Sequence, residues 1–138
     1  MDFRGTYEFT LDDRGRVSIP ARYRHEFADK VILAMGQDGC VEAYTEDGYN
    51  QMSNHVAVEP PTTPEGRQAR REFYAQSFDT ELDRQGRVLV PLRFREKAAL
   101  NGAVVIAGRK ECLEIWHPGR LERLLRGGSS STEQAPEG

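Results

Sequence analysis

One stretch of sequence occurs twice in the chain and indicates how it is organised. Residues 11–24 read Leu-Asp-Asp-Arg-Gly-Arg-Val-Ser-Ile-Pro-Ala-Arg-Tyr-Arg, and residues 82–95 read Leu-Asp-Arg-Gln-Gly-Arg-Val-Leu-Val-Pro-Leu-Arg-Phe-Arg. Eight of the fourteen positions are identical, at a constant separation of 71 residues. A repeat this dense predicts that the 138-residue chain is built from two equivalent halves.

Each copy predicts a turn, a strand and a short helix. Asp-x-x-Gly between two apolar runs is typical of a hairpin turn, because Asp bonds nearby backbone and Gly accepts a positive φ. Val17 and Ile19 alternate with polar residues, which is the period of a half-buried strand. Pro20 ends the strand and suits a first helical position, and Tyr23 and Phe27 share one helical face.

The chain around the copies gives each half a β-β-α-β-β order. We expect strands at residues 4–11, 16–19, 30–35, 40–44, 78–82, 87–90, 103–107 and 112–116. We expect helices at residues 20–28, 91–100, 46–56, 67–76 and 118–125. The helix at 67–76 is expected to start within residues 63–66, with Pro64 at its first position. Halves of about 45–50 residues bury too little surface to be stable alone. The predicted fold is therefore α+β and mainly β, with two swapped-hairpin halves forming one pseudo-twofold, barrel-like unit with extra short helices.

The predicted boundaries follow from the repeat and from composition. The first half spans residues 3–50 and the second spans 77–117. A linker with short helices, residues 51–76, contains three prolines within five positions, which exclude a regular ladder there. A C-terminal helix at 118–126 precedes residues 127–138, which are rich in Gly, Ser, Glu and Pro and are expected to be disordered.

Charge is distributed unevenly, although the net charge of −3 is close to neutral. Residues 12–24 carry four Arg against two Asp, and residues 83–97 carry four Arg and one Lys against one Asp and one Glu. Sixteen of the nineteen basic residues are Arg, whose forked donors suit phosphate and guanine. The two copies are therefore candidate DNA contacts, with surface ion pairs as the alternative for many of these arginines.

Enzyme chemistry has no support in the sequence. The three histidines are scattered, and we find no Gly-rich phosphate loop, no metal-spaced Cys/His cluster and no nucleophile elbow. We therefore expect no catalytic site, no metal and no cofactor. Asp12 precedes Arg16 by four residues, and Asp83 precedes Arg87 likewise, but Arg does not exchange protons near neutral pH.

The N-terminus resembles no signal peptide, and the longest apolar run, residues 103–107, is too short to span a bilayer. We therefore expect a cytoplasmic protein that does not bind membranes. Cys40 and Cys112 occupy equivalent strand-like runs in the two halves. Buried, reduced thiols are the expected state, and a disulfide between the halves is the alternative.

The turns carry the candidate site. Its predicted DNA contacts are the basic side chains at the two tips, Arg14, Arg16, Arg84 and Arg87. Its predicted loop-orienting residues are Asp12, Gly15, Asp83 and Gly86. A β-ribbon or its turn can enter the major groove of DNA. The alternative is that Arg16 and Arg87 only pair with the two motif aspartates.

The double motif resembles that of the MraZ family, bacterial regulators built from two tandem swapped-hairpin modules of the AbrB type. The shared pattern is Leu-Asp-x-x-Gly-Arg, three strand residues, then Pro-x-Arg, an aromatic residue and Arg, at residues 11–24 and 82–95. The Phe-Arg-Gly at residues 3–5 also matches, and the resemblance covers residues 3–125.

The resemblance implies a nucleoid-associated transcriptional regulator that binds short DNA repeats upstream of the cell-division and cell-wall gene cluster. It also implies a ring-shaped homo-oligomer, for which Phe73 and Tyr74 are candidate contacts with core packing as the alternative. Its DNA-contacting arginine falls on Arg16 and Arg87. Supporting arginines on the following helices are expected to touch phosphate or only solvent: Arg22, Arg24, Arg93 and Arg95.

The two copies differ at their tips, since Arg14 is replaced by Gln85 and Asp13 by Arg84, so identical DNA reading does not follow. Two other functions remain open. One is a ring-forming scaffold for division proteins, with the arginines in subunit contacts. The other is an antitoxin, since AbrB-type hairpins also occur in antitoxins, although residues 127–138 offer no apolar anchor for a toxin.

Overall fold

The computed structural model describes residues 1–127. Its strands are β1 Thr6–Thr10, β2 Arg16–Ser18, β3 Val31–Met35, β4 Val41–Tyr44, β5 Ser77–Thr80, β6 Arg87–Leu89, β7 Ala103–Gly108 and β8 Leu113–Trp116. Its α-helices are α1 Glu46–Val56, α2 Pro64–Tyr74, α3 Leu92–Lys97 and α4 Pro118–Gly127, and a 3-10 helix spans Ala21–Phe27. The tail predicted at 127–138 lies outside the described residues except for Gly127, which ends α4.

Six strands form an antiparallel sheet in the order β1-β7-β8-β4-β3-β5. The central pair, β4 and β8, contributes one strand from each half. The first strand of each half crosses to the other half: β1 pairs with β7, and β5 pairs with β3. The fold is thus α+β and mainly antiparallel β, and the halves share one sheet.

The Asp-x-x-Gly turns form, but they do not join paired strands, so the simple hairpin prediction was wrong. β1 lies in the large sheet, whereas β2 pairs only with β6 in a separate two-stranded sheet. At the first turn, Asp12 N–H donates to the carbonyl of Arg16 over 2.9 Å, which closes the turn on itself. After the turn the chain continues into β2, whose pairing partner β6 belongs to the other half.

The predicted barrel does not close within residues 1–127. The edge strands β1 and β5 each pair with a single neighbour, and the β2–β6 ladder comprises three residue pairs. Pro20 and Pro91 directly follow Ile19 and Val90 and lack the N–H that a longer ladder requires. The arrangement is a six-stranded sheet with a short two-stranded ribbon, formed by β2 and β6, beside it.

The helices after the two ribbon strands are shorter than predicted. The segment expected at 20–28 is a 3-10 helix, opened by a bond from Tyr23 N–H to the Pro20 carbonyl. The segment expected at 91–100 is helical only over Leu92–Lys97, and Ala99 takes a positive φ of 57°. Both segments bury aromatic residues: Tyr23 and Phe27, which the sequence places on one face, and Phe94 in the second segment.

The main core lies between the six-stranded sheet and the ribbon with its helices. Val17, Val88 and Phe94 are completely buried there, together with sheet residues such as Leu33 and Ile115. Burying such side chains is worth roughly 1.5–3 kcal/mol each relative to exposure. Because both halves supply this core, neither half has one of its own.

The opposite face of the sheet is covered by α1, α2 and α4. Thr45 and Thr63 cap α1 and α2, accepting from Gly48 N–H and Gly66 N–H at 3.0 Å, and Pro64 begins α2 as the sequence predicts. Phe73 of α2 stacks on Tyr49 with ring centroids 4.8 Å apart. Phe73 is therefore used in packing within the chain.

Candidate nucleic-acid interface

The ribbon brings the two copies of the motif together on one surface. β2 and β6 are antiparallel, with Arg16 opposite Leu89 and Ser18 opposite Arg87. Val17 and Val88 are completely buried, so the alternation of a strand turns Arg16 and Arg87 to the other face. The two arginines are diagonal neighbours there, and each side chain keeps 28% of its surface exposed. Arg16 and Arg87, which belong to separate turns in the sequence, thus lie on one surface, called here the composite site.

The first turn is built by Asp12. Its Oδ1 accepts from the N–H groups of Arg14 and Arg16 at 2.9 and 2.8 Å, and its Oδ2 accepts from Arg16 Nε at 2.8 Å. Gly15 N–H donates to the Asp12 carbonyl at 3.0 Å. One carboxylate therefore fixes the turn backbone with one oxygen and orients the arginine with the other.

The second turn repeats this geometry. Asp83 Oδ1 accepts from the N–H groups of Gln85 and Arg87 at 2.9 Å, and Oδ2 accepts from Arg87 Nε at 2.9 Å. The ion pair proposed as the alternative function of these arginines is therefore present. It engages Nε, so it leaves the outer end of the Arg16 guanidinium available for a second contact.

Both turn carboxylates are held in the ionised state. The hydrogen bond from the Arg16 backbone N–H is the largest cause that lowers the pKa of Asp12, to about 2, and the Arg16 side chain adds to it. The Arg87 backbone N–H lowers the pKa of Asp83 in the same way. Donors that bind the charged form favour it, so these turns stay intact well below neutral pH.

Asp12 also joins the two copies. Its Oδ2 lies 3.5 Å from Arg87 Nη1, in addition to its bond with Arg16. Among the described residues, no corresponding ion pair links Asp83 to Arg16. The composite site is therefore electrostatically asymmetric, with Arg87 held by two carboxylates and Arg16 by one.

Arg24 and Arg95 lock the turns from behind. Arg95 Nε donates to the Val90 carbonyl at 2.9 Å and lies against Gly15 of the other half, where an added Cβ would approach Nε to 2.5 Å. Arg24 Nε donates to the Ile19 carbonyl at 3.0 Å and covers Gly86 in the same way. Within the chain these two arginines hold the turns through Nε, and the expectation that they touch phosphate or only solvent stays a prediction.

Two backbone bonds complete this contact between halves. Val90 N–H donates to the Gly15 carbonyl at 2.9 Å, and Ile19 N–H donates to the Gly86 carbonyl at 3.0 Å. Each glycine also has a positive φ, 86° at Gly15 and 77° at Gly86. Glycine is needed at both turns because its backbone is left-handed and because an arginine occupies the space of a side chain.

The remaining basic residues of the motif are exposed. Arg14 and Arg84 lie in the two turns and are exposed. The turn aspartates bind the backbone N–H groups of Arg14 and Gln85 there. The guanidinium of Arg22 lies 5.2 Å from the Tyr23 ring centroid, and that of Arg93 lies 4.8 Å from the Phe94 centroid. Four exposed arginines thus belong to the turns and helices that flank the two ribbon strands in the chain: Arg14, Arg22, Arg84 and Arg93.

A buried polar cluster that sequence reasoning missed lies on the opposite face of the sheet. Glu42 of β4 and Glu114 of β8 are direct cross-strand partners. Arg109 Nη1 lies 2.7 Å from the first carboxylate and 3.1 Å from the second. The glutamates also accept from Tyr44 and Trp116. A glutamate at equivalent places in two apolar strand segments was the signal that could have revealed the cluster.

This cluster does not resemble a metal site. Cys40, Glu42 and Glu114 place possible ligand atoms within 4.8 Å of one another. Arg109 already neutralises the two carboxylates, so a cation there would meet a guanidinium. Burial raises the pKa of the Cys40 thiol, which disfavours the thiolate that a metal requires. Cys40 and Cys112 are both buried and free, as expected for reduced thiols.

A cavity of about 740 Å³ adjoins this cluster, lined by residues of α1, α2 and the sheet. The buried carboxylate in its lining, Glu42, already accepts hydrogen bonds from the Tyr44 hydroxyl and from Arg109 Nη1. The Glu42 carboxylate is therefore already neutralised within the protein. None of the helices among residues 1–127 is long and apolar enough to cross a membrane.

Comparison with known proteins assigns the chain to a family. The family model described as "MraZ protein, putative antitoxin-like" matches twice, at residues 3–72 and 73–137. Each match contains one copy of the repeated motif.

Curated relatives agree with this assignment over nearly the whole chain. A Roseiflexus castenholzii protein is 38% identical over 123 residues, covering 89% of this chain and 86% of its own. A Moorella thermoacetica protein is 38% identical, covering 98% and 94%, and one from Ligilactobacillus salivarius is 34% identical, covering 87% and 84%. All three are named Transcriptional regulator MraZ, a non-enzymatic role. The chain belongs to the MraZ family of transcriptional regulators.

Proposed function

We propose that the protein is a sequence-specific double-stranded DNA-binding regulator that reads its operator with Arg16 and Arg87. The observation that carries this proposal is their placement side by side on the exposed face of a two-stranded ribbon. A two-stranded ribbon fits the major groove, and paired guanidinium nitrogens match guanine O6 and N7. Each such contact discriminates by about 1–3 kcal/mol.

The electrostatics of the site support base reading by Arg16 in particular. Asp12 binds Nε of Arg16, which fixes the side chain while leaving both terminal nitrogens for a base. Arg87 has its Nη1 drawn toward Asp12, so it must exchange that contact when it binds. Arg14, Arg22, Arg84 and Arg93 stand around the ribbon as contacts for the phosphate backbone.

The target and assembly follow from the family resemblance. We propose that the operator consists of short repeats upstream of the cell-division and cell-wall gene cluster, and that the protein associates with the nucleoid as a ring-shaped homo-oligomer. One chain offers a single composite site, and one site makes too few phosphate contacts for tight binding at cellular salt. A ring with several such sites on one rim would engage successive repeats at high effective concentration.

Exposed apolar side chains support an oligomer. Tyr74, Phe78 and Leu92 are 49%, 36% and 58% exposed in the single chain. They belong to α2, β5 and α3, outside the arginine pair. Sedimentation of the full chain at micromolar concentration should show a closed species larger than a dimer, and a monomer alone would contradict the ring.

The test of DNA reading compares two kinds of arginine variant. In the Arg16→Ala/Arg87→Ala double variant, preference for DNA from upstream of the protein's own operon over scrambled DNA should disappear. The matched control is Arg93→Ala, which should weaken both duplexes equally and flatten the salt dependence by roughly one unit per lost phosphate contact. Binding is measured by fluorescence anisotropy across a salt series, with sedimentation as a check on assembly.

The result also separates the alternatives. Unchanged operator preference in the double variant would remove the arginines from base reading. Collapse of the oligomer in that variant would instead place them in subunit contacts, as the scaffold function requires.

A further inference from the structure

The exposed face of the ribbon carries two residues besides the arginines, and they differ between the copies. Ser18 in β2 and Leu89 in β6 occupy equivalent positions of the repeat. The register sets Leu89 opposite Arg16 and Ser18 opposite Arg87. The arginines are thus the same in both copies, whereas the neighbour of each arginine is different.

Leu89 is an apolar residue that the single chain leaves almost half exposed. It is 45% exposed, although the adjacent Val88 and Val90 are completely buried. It also stands within a polar surface made by Arg16, Ser18 and Arg87. An aliphatic side chain here gains from burial only when another surface covers the ribbon.

The major groove of DNA offers an apolar group that fits this position. Thymine presents its C5 methyl there, and the other bases have none. Side chains opposite each other in an antiparallel pair have Cβ atoms about 4.5–5.5 Å apart. The rise between base pairs is about 3.4 Å. A guanine bound by Arg16 and a thymine methyl beside Leu89 can therefore lie on neighbouring base pairs.

Serine in the equivalent place has no such preference. Its hydroxyl both donates and accepts, so it can bond to several base edges. The ribbon would then distinguish its two ends even though the arginines are equivalent. Asp12 adds a second difference between the two ends, because it contacts both arginines, whereas Asp83 contacts only Arg87 of the two among the described residues.

We propose that Leu89 is a specificity-determining residue that contacts a thymine methyl beside the base pair read by Arg16. This inference rests on the proposed function, because Leu89 has a base to contact only if the ribbon enters the groove. It assigns a chemical asymmetry to each binding unit: an Arg–Leu end that favours thymine beside guanine, and an Arg–Ser end that does not.

The test removes single methyl groups from the DNA. A preferred site is first selected by the full-length protein from randomised duplexes, and each thymine in it is then replaced by deoxyuridine. In each DNA repeat that one protein chain contacts, one thymine should respond. Its replacement by deoxyuridine should lower wild-type affinity by about fourfold, the effect of one lost methyl contact. In Leu89→Ser this sensitivity should vanish, while sensitivity to loss of the guanine contact remains.

The matched control removes the asymmetry, because Ser18→Leu gives both ends of the ribbon an Arg–Leu pair. Ser18→Leu should gain sensitivity at a second thymine, next to the base read by Arg87, and this variant does not depend on how Leu89→Ser folds. Sedimentation and thermal unfolding of both variants show whether assembly and stability are retained.

The outcomes separate this inference from the proposed function. If wild-type protein selects no sequence, the proposed function fails and the inference fails with it. If it selects a sequence but deoxyuridine has no effect, or the same effect in Leu89→Ser, only the Leu89 inference is overturned. Loss of the oligomer in Leu89→Ser would place Leu89 in a contact between copies of the chain, which also overturns it.

Discussion

Asp12 lies 3.5 Å from Arg87, a residue 75 positions away in the other copy of the motif. The same carboxylate oxygen holds Arg16 at 2.8 Å. The contact exists because β2 and β6 pair across the two halves and bring both arginines to one face. A motif that reads as two separate turns in the sequence is therefore one electrostatic unit.

This shared carboxylate makes the two aspartates unequal. In Asp12→Asn the amide oxygen can still accept from the turn backbone, but the charge that holds both arginines is lost. In Asp83→Asn only Arg87 loses a charged partner. Each variant removes the orienting charge of one arginine, but only Asp12→Asn also removes a contact that Arg87 must exchange when it binds DNA. We therefore expect Asp12→Asn to reduce operator affinity less than Asp83→Asn, as measured by fluorescence anisotropy at fixed salt. Equal losses would show that the Asp12–Arg87 contact has no role in binding.

Acid should weaken the turns in a defined pH range. Asp12 has its pKa lowered from 3.8 to about 2, and Asp83 is lowered too, so both stabilise the fold when ionised. That contribution is complete above the ordinary pKa and is lost as pH falls from about 4 toward 2. Urea unfolding should therefore show the difference between wild type and Asp12→Asn/Asp83→Asn shrinking over this range. A constant difference down to pH 2 would contradict the assignment.

The turn glycines should tolerate no side chain. Gly15→Ala places an L-residue at a φ of 86° and pushes a methyl group against Arg95. The left-handed conformation alone costs about 1–2 kcal/mol, and the clash adds to it. The matched control is Gly102→Ala, where φ is 65° but nothing lies within 4 Å of the added methyl. Urea unfolding should show a larger loss for Gly15→Ala, and Arg95→Ala in the same chain should recover part of the difference.

The buried Glu42–Arg109–Glu114 cluster should be sensitive to loss of its cation. Removing one partner of a buried ion pair costs about 3–5 kcal/mol, because a charge is left uncompensated. Arg109 is 37% exposed, so we expect a smaller loss for Arg109→Met, about 2–3 kcal/mol in the free energy of unfolding. Adding Glu42→Gln and Glu114→Gln should restore much of the stability. No recovery would mean that Arg109 acts mainly through packing.

The halves should not fold separately. β1 finds its partner β7 in the second half, and β5 finds β3 in the first. Fragments 1–50 and 76–126 should each lack a cooperative thermal transition as a monomer. Mixing them should restore one, because the shared sheet can then form. A monomeric fragment with its own cooperative transition would contradict the shared core.

Local chemistry was predictable from the sequence. The Asp-x-x-Gly turns, the strands that end before proline and the common face of Tyr23 and Phe27 follow from short-range rules, and all of them are present. The extents of the helices were not predictable, because the backbone after Pro20 and Pro91 is set by how the aromatic residues reach the core. Strand partners were also misjudged, since β1 and β2 are neighbours in sequence but lie in different sheets.

The sequence by itself determined the repeat, the family and the residues of the candidate site, because these depend on residue identity and spacing. Only the tertiary structure decided that Arg16 and Arg87 share one surface, that Asp12 touches both, and that Arg24 and Arg95 support the turns. The physical reason is that the deciding contacts join residues far apart in the chain, from 62 positions for Arg24 and Gly86 to 80 positions for Arg95 and Gly15. They arise from the pairing of β2 with β6, which local propensity does not encode.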